Sequence, residues 1–234
     1  MSDPPSAEPL VVVNQWLAES WRLRQQPNPN AMVLATVSPE GAPSARVVLC
    51  KEIVAQPGYL VFYTNYRSRK ARELLDQPRA AAVMHWDHLH RQARIEGPVV
   101  QSPAADSDAY FASRPWQSRL SAWASEQSEP IAARRDLEAA LAAAAKRFGT
   151  PVPAEAGNAS AGMETAGVGT APAGDYVIPR PPHWGGLQLW AQSVELWVEG
   201  DARIHDRLRW TRSLAPSGEQ FFAGGPWTVT RLQP

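Results

Sequence analysis

The dominant pattern along the chain is the two-residue alternation of apolar and polar positions that a half-buried strand requires. AMVLATV (Ala31–Val37), SARVVLCKEI (Ser44–Ile53) and the run Tyr59–Thr64 predict three strands. SPEG (Ser38–Gly41), with proline second and glycine fourth, predicts a turn that folds the second strand antiparallel to the first. AAAVMHW (Ala80–Trp86) and RQARIEGPVV (Arg91–Val100) predict another pair. LQLWAQ (Leu187–Gln192), VELWVE (Val194–Glu199), LRWTRS (Leu208–Ser213) and WTVTRL (Trp227–Leu232) predict closing strands. Helical spacing is rarer. Leu10, Val13, Leu17 and Trp21 place a helix over Pro9–Arg24, which QPNPN (Gln26–Asn30) breaks. Ser68 is a good N-cap for a helix that ends at Asp76, before Pro78. Further helices are predicted over Ser102–Pro115, near Arg119–Ala124, and over Pro130–Gly149 with its repeat Leu137, Leu141, Ala144, Phe148. Many short strands at hairpin spacing with helices between them predict a mainly β fold with inserted helices (α+β), built on a small antiparallel barrel.

The same patterns divide the chain. Residues 1–27 form a tail and a helix, and residues 1–9 are rich in proline and serine and expected to be disordered. Residues 28–149 are the first part of the barrel. Residues 150–177 contain almost no large apolar side chain over Thr150 to Asp175, so they can bury little and are expected to be a disordered insertion. Residues 178–234 supply the strands that complete the barrel.

Composition narrows the partners. The chain has 234 residues, 44% of them hydrophobic, enough for one core with appendages. A formal net charge of +0 gives no bulk attraction to nucleic acid or an anionic membrane. No apolar run approaches a membrane span, and the N-terminus lacks the basic and apolar regions of a signal peptide. Cys50 is the single cysteine, which excludes an intrachain disulfide and suits the cytoplasm. Within its apolar strand it reads as a small core residue.

Charge placement suggests chemistry. Arg69 and Lys70 fall in the first turn of a predicted helix, where the macrodipole disfavours cations. Alone they read as a solvated basic face. With Arg46 and Lys51 on a neighbouring strand they read as a site for an anion, most simply a phosphate. Tyr110 and Arg114, four apart, share a helix face, and Ser118 follows beyond Pro115; they can stack on the surface or hold a second phosphate. Arg203 and His205 alternate on a strand edge or in a loop and so point the same way. Gln127 and Ser128 can cap the helix that opens at Pro130. His85, His88, His90 and His183 do not fall at zinc-ligand spacing, so no metal is expected.

RVVLCK (Arg46–Lys51), FYTNYRSRK (Phe62–Lys70), RQARIEG (Arg91–Gly97), the block Tyr110–Ser128, PRPPHWGG (Pro179–Gly186) and RIHDRLRW (Arg203–Trp210) stand in one order. Together they resemble the pyridoxamine/pyridoxine 5′-phosphate oxidase family, over Asn28 to Pro234. The resemblance implies a split β-barrel, of antiparallel Greek-key type, that binds FMN across a homodimer interface. It implies FMN contacts from Arg46, Val47, Val48, Leu49, Cys50, Lys51, Tyr63, Thr64, Arg69, Lys70, Gln92, Trp197 and Arg207, with Gln127 and Ser128 reaching the cofactor from the other subunit. It implies that Lys51, Tyr110, Arg114 and Ser118 hold the phosphate of a pyridoxine-type substrate, and that Arg203 and His205 act on that substrate. The implied reaction oxidises pyridoxamine or pyridoxine 5′-phosphate with dioxygen, giving pyridoxal 5′-phosphate and hydrogen peroxide. The same fold also serves phenazine-biosynthesis oxidases and could serve a non-catalytic binder. The chain departs from the family pattern at Val198 and Glu199, where family members usually read Trp-Gln-Gly-Gly over 197–200. Asn28 stands where an acidic residue is common, and residues 1–25 lack an arginine- and tyrosine-containing segment that some members have.

Overall fold

Burial in the computed structural model follows the alternation of the sequence. The structure describes residues 8–153, 176–218 and 220–234. Most of the disorder expected over residues 1–9 and 150–177 lies outside the described residues, but Pro9 opens a helix and the Tyr176 ring packs against Trp116 at 5.2 Å. The chain divides into two compact units: residues 1–62, 73–101 and 187–234 form the first, and 63–72 with 102–186 the second.

The first unit holds helix α1 (Pro9–Leu23) and most of the sheet: β1 (Ala31–Val37), β2 (Pro43–Leu49), β3 (Glu52–Val54), the start of β4 (Tyr59–Asn65), β5 (Arg79–Trp86), β6 (Arg91–Gln101), most of β7 (Trp184–Trp190), β8 (Ser193–Val198), β9 (Asp206–Thr211) and β12 (Thr228–Leu232). The strands run in the order β12-β9-β8-β6-β5-β1-β2, each pair antiparallel. Leu34, Ala82, Ile95, Val194 and Trp210 are buried along one face. Trp86 is fully buried, and its indole N–H donates to the carbonyl of Pro29 at 2.8 Å, satisfying its one polar atom. Two short strands, β10 (Leu214–Pro216) and β11 (Phe222–Gly224), pair apart from this sheet and were not expected.

Strand β6 serves two partners. Arg91–Glu96 pair with β8, and Val99–Gln101 pair with β7. The change of partner falls at Gly97-Pro98. A Cβ on Gly97 would lie 1.9 Å from the carbonyl oxygen of Trp190, so the close approach of the two backbones demands glycine. Gly97→Ala should therefore cost at least about 2 kcal/mol of stability, read as a lower denaturation midpoint. An unchanged midpoint would mean that β6 and β7 separate at no cost.

The expected strand Ser44–Ile53 is two strands. Cys50 leaves the ladder, with its N–H donating to Asn30 O at 2.9 Å and its carbonyl accepting from the Asn30 side chain at 2.8 Å. Lys51 N–H then turns to Val61 O on β4. Nothing in RVVLCKEI marks the break, because the cause lies elsewhere in the chain, at Asn30 just before β1 and at Val61 on β4. Cys50 is the core residue that its context predicted. Its thiol is buried and pushed up to about 12 by desolvation. A thiol reagent at pH 8 should label it only after denaturation; rapid labelling of the native protein would contradict its burial. An unfolded cysteine loses its proton near the model-compound value of 9.0, whereas the folded one keeps it to about 12. Stability from this group is thus full below the first value and lost as pH rises toward the second.

The second unit contains Tyr63–Asn65 at the end of β4 and the first turn of α2 (Arg69–Asp76). It also contains α3 (Ala104–Ser113), α4 (Trp116–Ala124) and α5 (Arg134–Phe148). Leu120, Ala144, Ala145 and Ile178 form a buried cluster, with Trp116, Trp123, Leu141 and Phe148 packed on it. Helix α5 begins four residues later than Pro130 suggested, because the Asp136 carboxylate accepts the N–H of Ala133 at 3.0 Å and caps it there. It ends at Gly149, which adopts the left-handed conformation at φ 64°. Among the described residues, no helix is long and apolar enough to cross a membrane.

Candidate active site

In the second unit the polar turn between β4 and α2 forms a cradle. Lys70 is only 7% exposed. Its ammonium donates to Thr64 Oγ1 at 2.9 Å, Ser68 Oγ at 3.1 Å and Gln127 Oε1 at 3.3 Å. The Thr64 hydroxyl also donates to Gln127 Oε1. Asn65 donates to Ser125 O, and Arg72 pairs with Glu129, so the turn is tied to the segment 125–129 at several points. Ser68 is fully buried at the N-cap position, and its carbonyl accepts from Ala71 and Arg72. Arg69 is exposed on the same helical turn. Gln127 does not cap α5; it meets Thr64 and Lys70 of its own chain. Ser128 is exposed, with φ 77°. A buried ammonium, hydroxyls and the first N–H groups of α2 are the donors that a phosphate monoester needs, and they fit one.

Beside this turn in the chain, Tyr63 begins an aromatic stack. Its ring lies 3.9 Å from Tyr110, at 14°, and 5.4 Å from Trp184, at 12°. The Arg114 guanidinium lies over Trp184 at 4.7 Å. Helix α3 ends at Ser113, and Arg114 is extended, so helical i,i+4 spacing is not what unites Tyr110 and Arg114. Trp184 unites them. Ser118 stands in the first turn of α4. Gly185 and Gly186 let the chain pass this stack: a Cβ on Gly185 would meet the Tyr66 hydroxyl at 2.1 Å, and one on Gly186 would meet Ser102 Oγ at 2.5 Å. In the sequence the signal for Trp184 is the motif PRPPHWGG.

In the first unit, register brings Gln92, Trp197 and Arg207 into one row across β6, β8 and β9. Directly opposed residues of antiparallel strands project from one face, so these side chains are neighbours. Arg207 donates to Glu195 Oε1 from Nε at 3.1 Å and from a terminal nitrogen at 2.7 Å. Glu195, nearly buried, also accepts from Arg94 at 3.0 Å. Glu195 thus orients Arg207, a role that only register reveals. Val47, Val48, Leu49 and Cys50 lie on or just past β2, and Lys51 follows.

Arg46 has a partner of its own. It points to the core face of β2, where it donates to Ser44 Oγ at 2.6 Å, to Glu73 Oε2 at 3.2 Å, and to Thr36 Oγ1. Glu73 balances its charge locally, so Arg46 adds less to an anion site than a cation without such a partner.

Arg203 and His205 are not on a strand. β9 starts at Asp206, and Asp201–Arg203 form a 3₁₀ turn in which Ala202 and Arg203 both have positive φ, 52° and 65°. Strand alternation therefore does not set their directions. Such residues cost on the order of 1–3 kcal/mol each and persist where the surroundings over-determine them. The Gly200 N–H donates to His205 Nδ1 at 3.2 Å, and the His205 ring lies 4.8 Å from Trp197. Because Nδ1 accepts, the proton of the neutral imidazole sits on Nε2.

A curled antiparallel sheet with inserted helices is the architecture of the split-barrel proteins. Residues 22–147 match the family described as Pyridoxamine 5′-phosphate oxidase, and residues 184–234 match the Pyridoxine 5′-phosphate oxidase C-terminal dimerisation region. The chain belongs to the pyridoxine/pyridoxamine 5′-phosphate oxidase family. A Pyridoxine/pyridoxamine 5′-phosphate oxidase of Cereibacter sphaeroides is 41% identical over 228 residues, covering 97% of this chain and 95% of that one. One from Rhodospirillum rubrum is 40% identical over 238 residues, covering all of both. Among solved structures, PhzG from Burkholderia lata, in complex with tetrahydrophenazine-1-carboxylic acid, has a TM-score of 0.76 and 28% identity, covering 99% of this chain and 95% of that one. A pyridoxamine 5′-phosphate oxidase-related, FMN binding protein from Nostoc punctiforme shares the fold, with a TM-score of 0.64 and 18% identity over the whole of both chains.

Proposed function

We propose that this chain is an FMN-dependent oxidase that converts pyridoxamine 5′-phosphate, pyridoxine 5′-phosphate or both to pyridoxal 5′-phosphate, with dioxygen as acceptor and hydrogen peroxide as by-product. The observation that carries this reading is the second unit's assembly of Arg114 over Trp184 beside stacked Tyr63 and Tyr110. It offers charge for a phosphate next to an aromatic surface for a flat ring. When bound, FMN would accept a hydride from the substrate's C4′ and pass the electrons to dioxygen. Lys70, Thr64, Arg69 and Gln127 would hold its phosphate. Val47–Lys51, Gln92, Trp197 and Arg207 are the further contacts that the family resemblance assigns to it, together with Arg46 and Ser128. Tyr110, Arg114, Ser118 and Lys51 bind the substrate phosphate. Arg203 and His205 orient the pyridine ring, His205 donating from Nε2. The protein acts chiefly by positioning and electrostatics. Purified protein should be yellow and consume oxygen with pyridoxamine 5′-phosphate. A yellow protein inert to that substrate would overturn the substrate assignment.

The likeness to PhzG favours a second reading, a phenazine-biosynthesis oxidase. A substrate without phosphate would leave Arg114, Tyr110 and Ser118 idle. Oxidation of tetrahydrophenazine-1-carboxylic acid in preference to pyridoxamine 5′-phosphate would select it.

The matched dimerisation region supports a homodimer, in which we place the flavin at the interface. Val33, Val37 and Val47 leave an exposed apolar strip on the outer face of β1 and β2, suited to such burial. Sedimentation at micromolar concentration should show a dimer. A monomer that retains FMN and turns over would refute this. The cytoplasm, where B6 vitamers and reduced thiols coexist, is the compartment we assign.

A further inference from the structure

We propose that Glu199 is a positioning residue that works through His90 to hold the loop carrying Arg203 and His205. This rests on the reading of those two residues as substrate-facing. The Glu199 N–H donates to His90 O at 2.9 Å, and the Glu199 carboxylate meets His90 Nδ1. One residue is therefore gripped twice by one partner. The carboxylate only accepts, so Nδ1 of His90 carries the proton between them.

The two ends of this clamp differ in rigidity. His90 closes the tight turn Asp87–Leu89 between β5 and β6, its N–H donating to Asp87 O at 2.9 Å, and β5 and β6 pair along eight successive residues. It is a fixed anchor. The loop beyond Glu199 is strained. Ala202 and Arg203 are both left-handed, and Gly200 is pressed against the loop's own far end, where a Cβ would lie 1.9 Å from Ile204 O. Ile204 N–H donates to Asp201 O and His205 N–H to Arg203 O, and Gly200 N–H fixes Nδ1 of His205. A loop wound this tightly over five residues needs its entry held, and Glu199 is the entry. The resemblance usually places glycine at this position, and glycine offers no side chain to reach His90.

The test uses the FMN-loaded dimer and its apo form. Glu199→Ala and His90→Ala should each lower the limiting rate of anaerobic flavin reduction by saturating pyridoxamine 5′-phosphate about three- to fivefold, the range an exposed, hydrogen-bonded pair supplies. FMN content and melting temperature should not change. The double variant should be no slower than either single one, because both remove the same contact. Glu199→Gln, which still accepts from Nδ1, should restore most of the rate. In the apoprotein, hydrogen exchange over residues 199–206 should quicken in both alanine variants, and not elsewhere. Parental rates and exchange in Glu199→Ala, with Arg203→Ala slowed, would overturn the clamp and leave the substrate reading standing. Parental rates in Arg203→Ala would overturn both. Additive losses in the double variant would overturn the pairing.

Discussion

Replacing Arg69 and Lys70 together by alanine should strip the protein of FMN while barely changing its affinity for riboflavin. The two flavins differ only in the phosphate, so the comparison isolates the cradle. A phosphate monoester carries nearly two charges at neutral pH and three strong acceptor oxygens. Lys70 brings a buried ammonium held by Thr64, Ser68 and Gln127, so little is lost in ordering it when a phosphate oxygen takes the place of the longest of these bonds, that to Gln127 at 3.3 Å. Each hydrogen bond between charged groups contributes about 1.5–3 kcal/mol, so the pair of substitutions should weaken FMN by at least about a hundredfold. Lys70 is buried, so the melting temperature of the apoprotein must be read alongside; Lys70→Met keeps its volume if alanine destabilises the turn. Measurement is by fluorescence titration of apoprotein with each flavin. Equal weakening of both would refute the phosphate assignment.

Arg114→Ala should raise the concentration of pyridoxamine 5′-phosphate needed for half-maximal flavin reduction at least tenfold, with a normal FMN content. The guanidinium is planar, always charged and lies over Trp184 at 4.7 Å, and its fork matches a phosphate bidentately. Losing a bond to a charged group costs about 1.5–3 kcal/mol, and a tenfold change corresponds to about 1.4 kcal/mol. Arg114→Lys should recover only part of the loss, because an ammonium neither stacks nor binds bidentately. Arg203→Ala and His205→Ala should behave differently. These residues are assigned to the ring from which hydride leaves, so the limiting rate itself should fall as well as the affinity. Single-turnover reduction under anaerobic conditions separates the two effects. Unchanged concentration dependence in Arg114→Ala, or parental reduction rates in the other two, would overturn the respective assignment.

Glu195 and Trp184 show why part of the candidate site could not be read from the chain. In the sequence Glu195 is one polar position in an alternating strand. Its importance comes from Arg94 and Arg207, which lie about one hundred residues before it and twelve after it and are brought beside it by register. Trp184 stands in a motif with no visible partner, yet Tyr63, Tyr110 and Arg114 all meet it. Arg46 shows the converse. Its charge on a strand suggested an anion, and only the fold reveals Glu73 facing it.

Local periodicity by itself determined most of the strands and helices, because burial of one face imposes a period of two or 3.6 on the sequence that forms it. The order of six motif blocks determined the family. Turn and cap chemistry fixed several boundaries, Gly149 and Asp76 among them. The tertiary structure alone decided that Cys50 leaves its strand, since the pull comes from Asn30 and Val61. It alone decided between strand edge and loop for Arg203, which sits in a strained turn, and it alone shows that Glu199 reaches His90. A sequence records what each residue prefers along its own segment. Which side chains then face one another is set by strand register and chain crossing, where contacts between distant residues outweigh local preference.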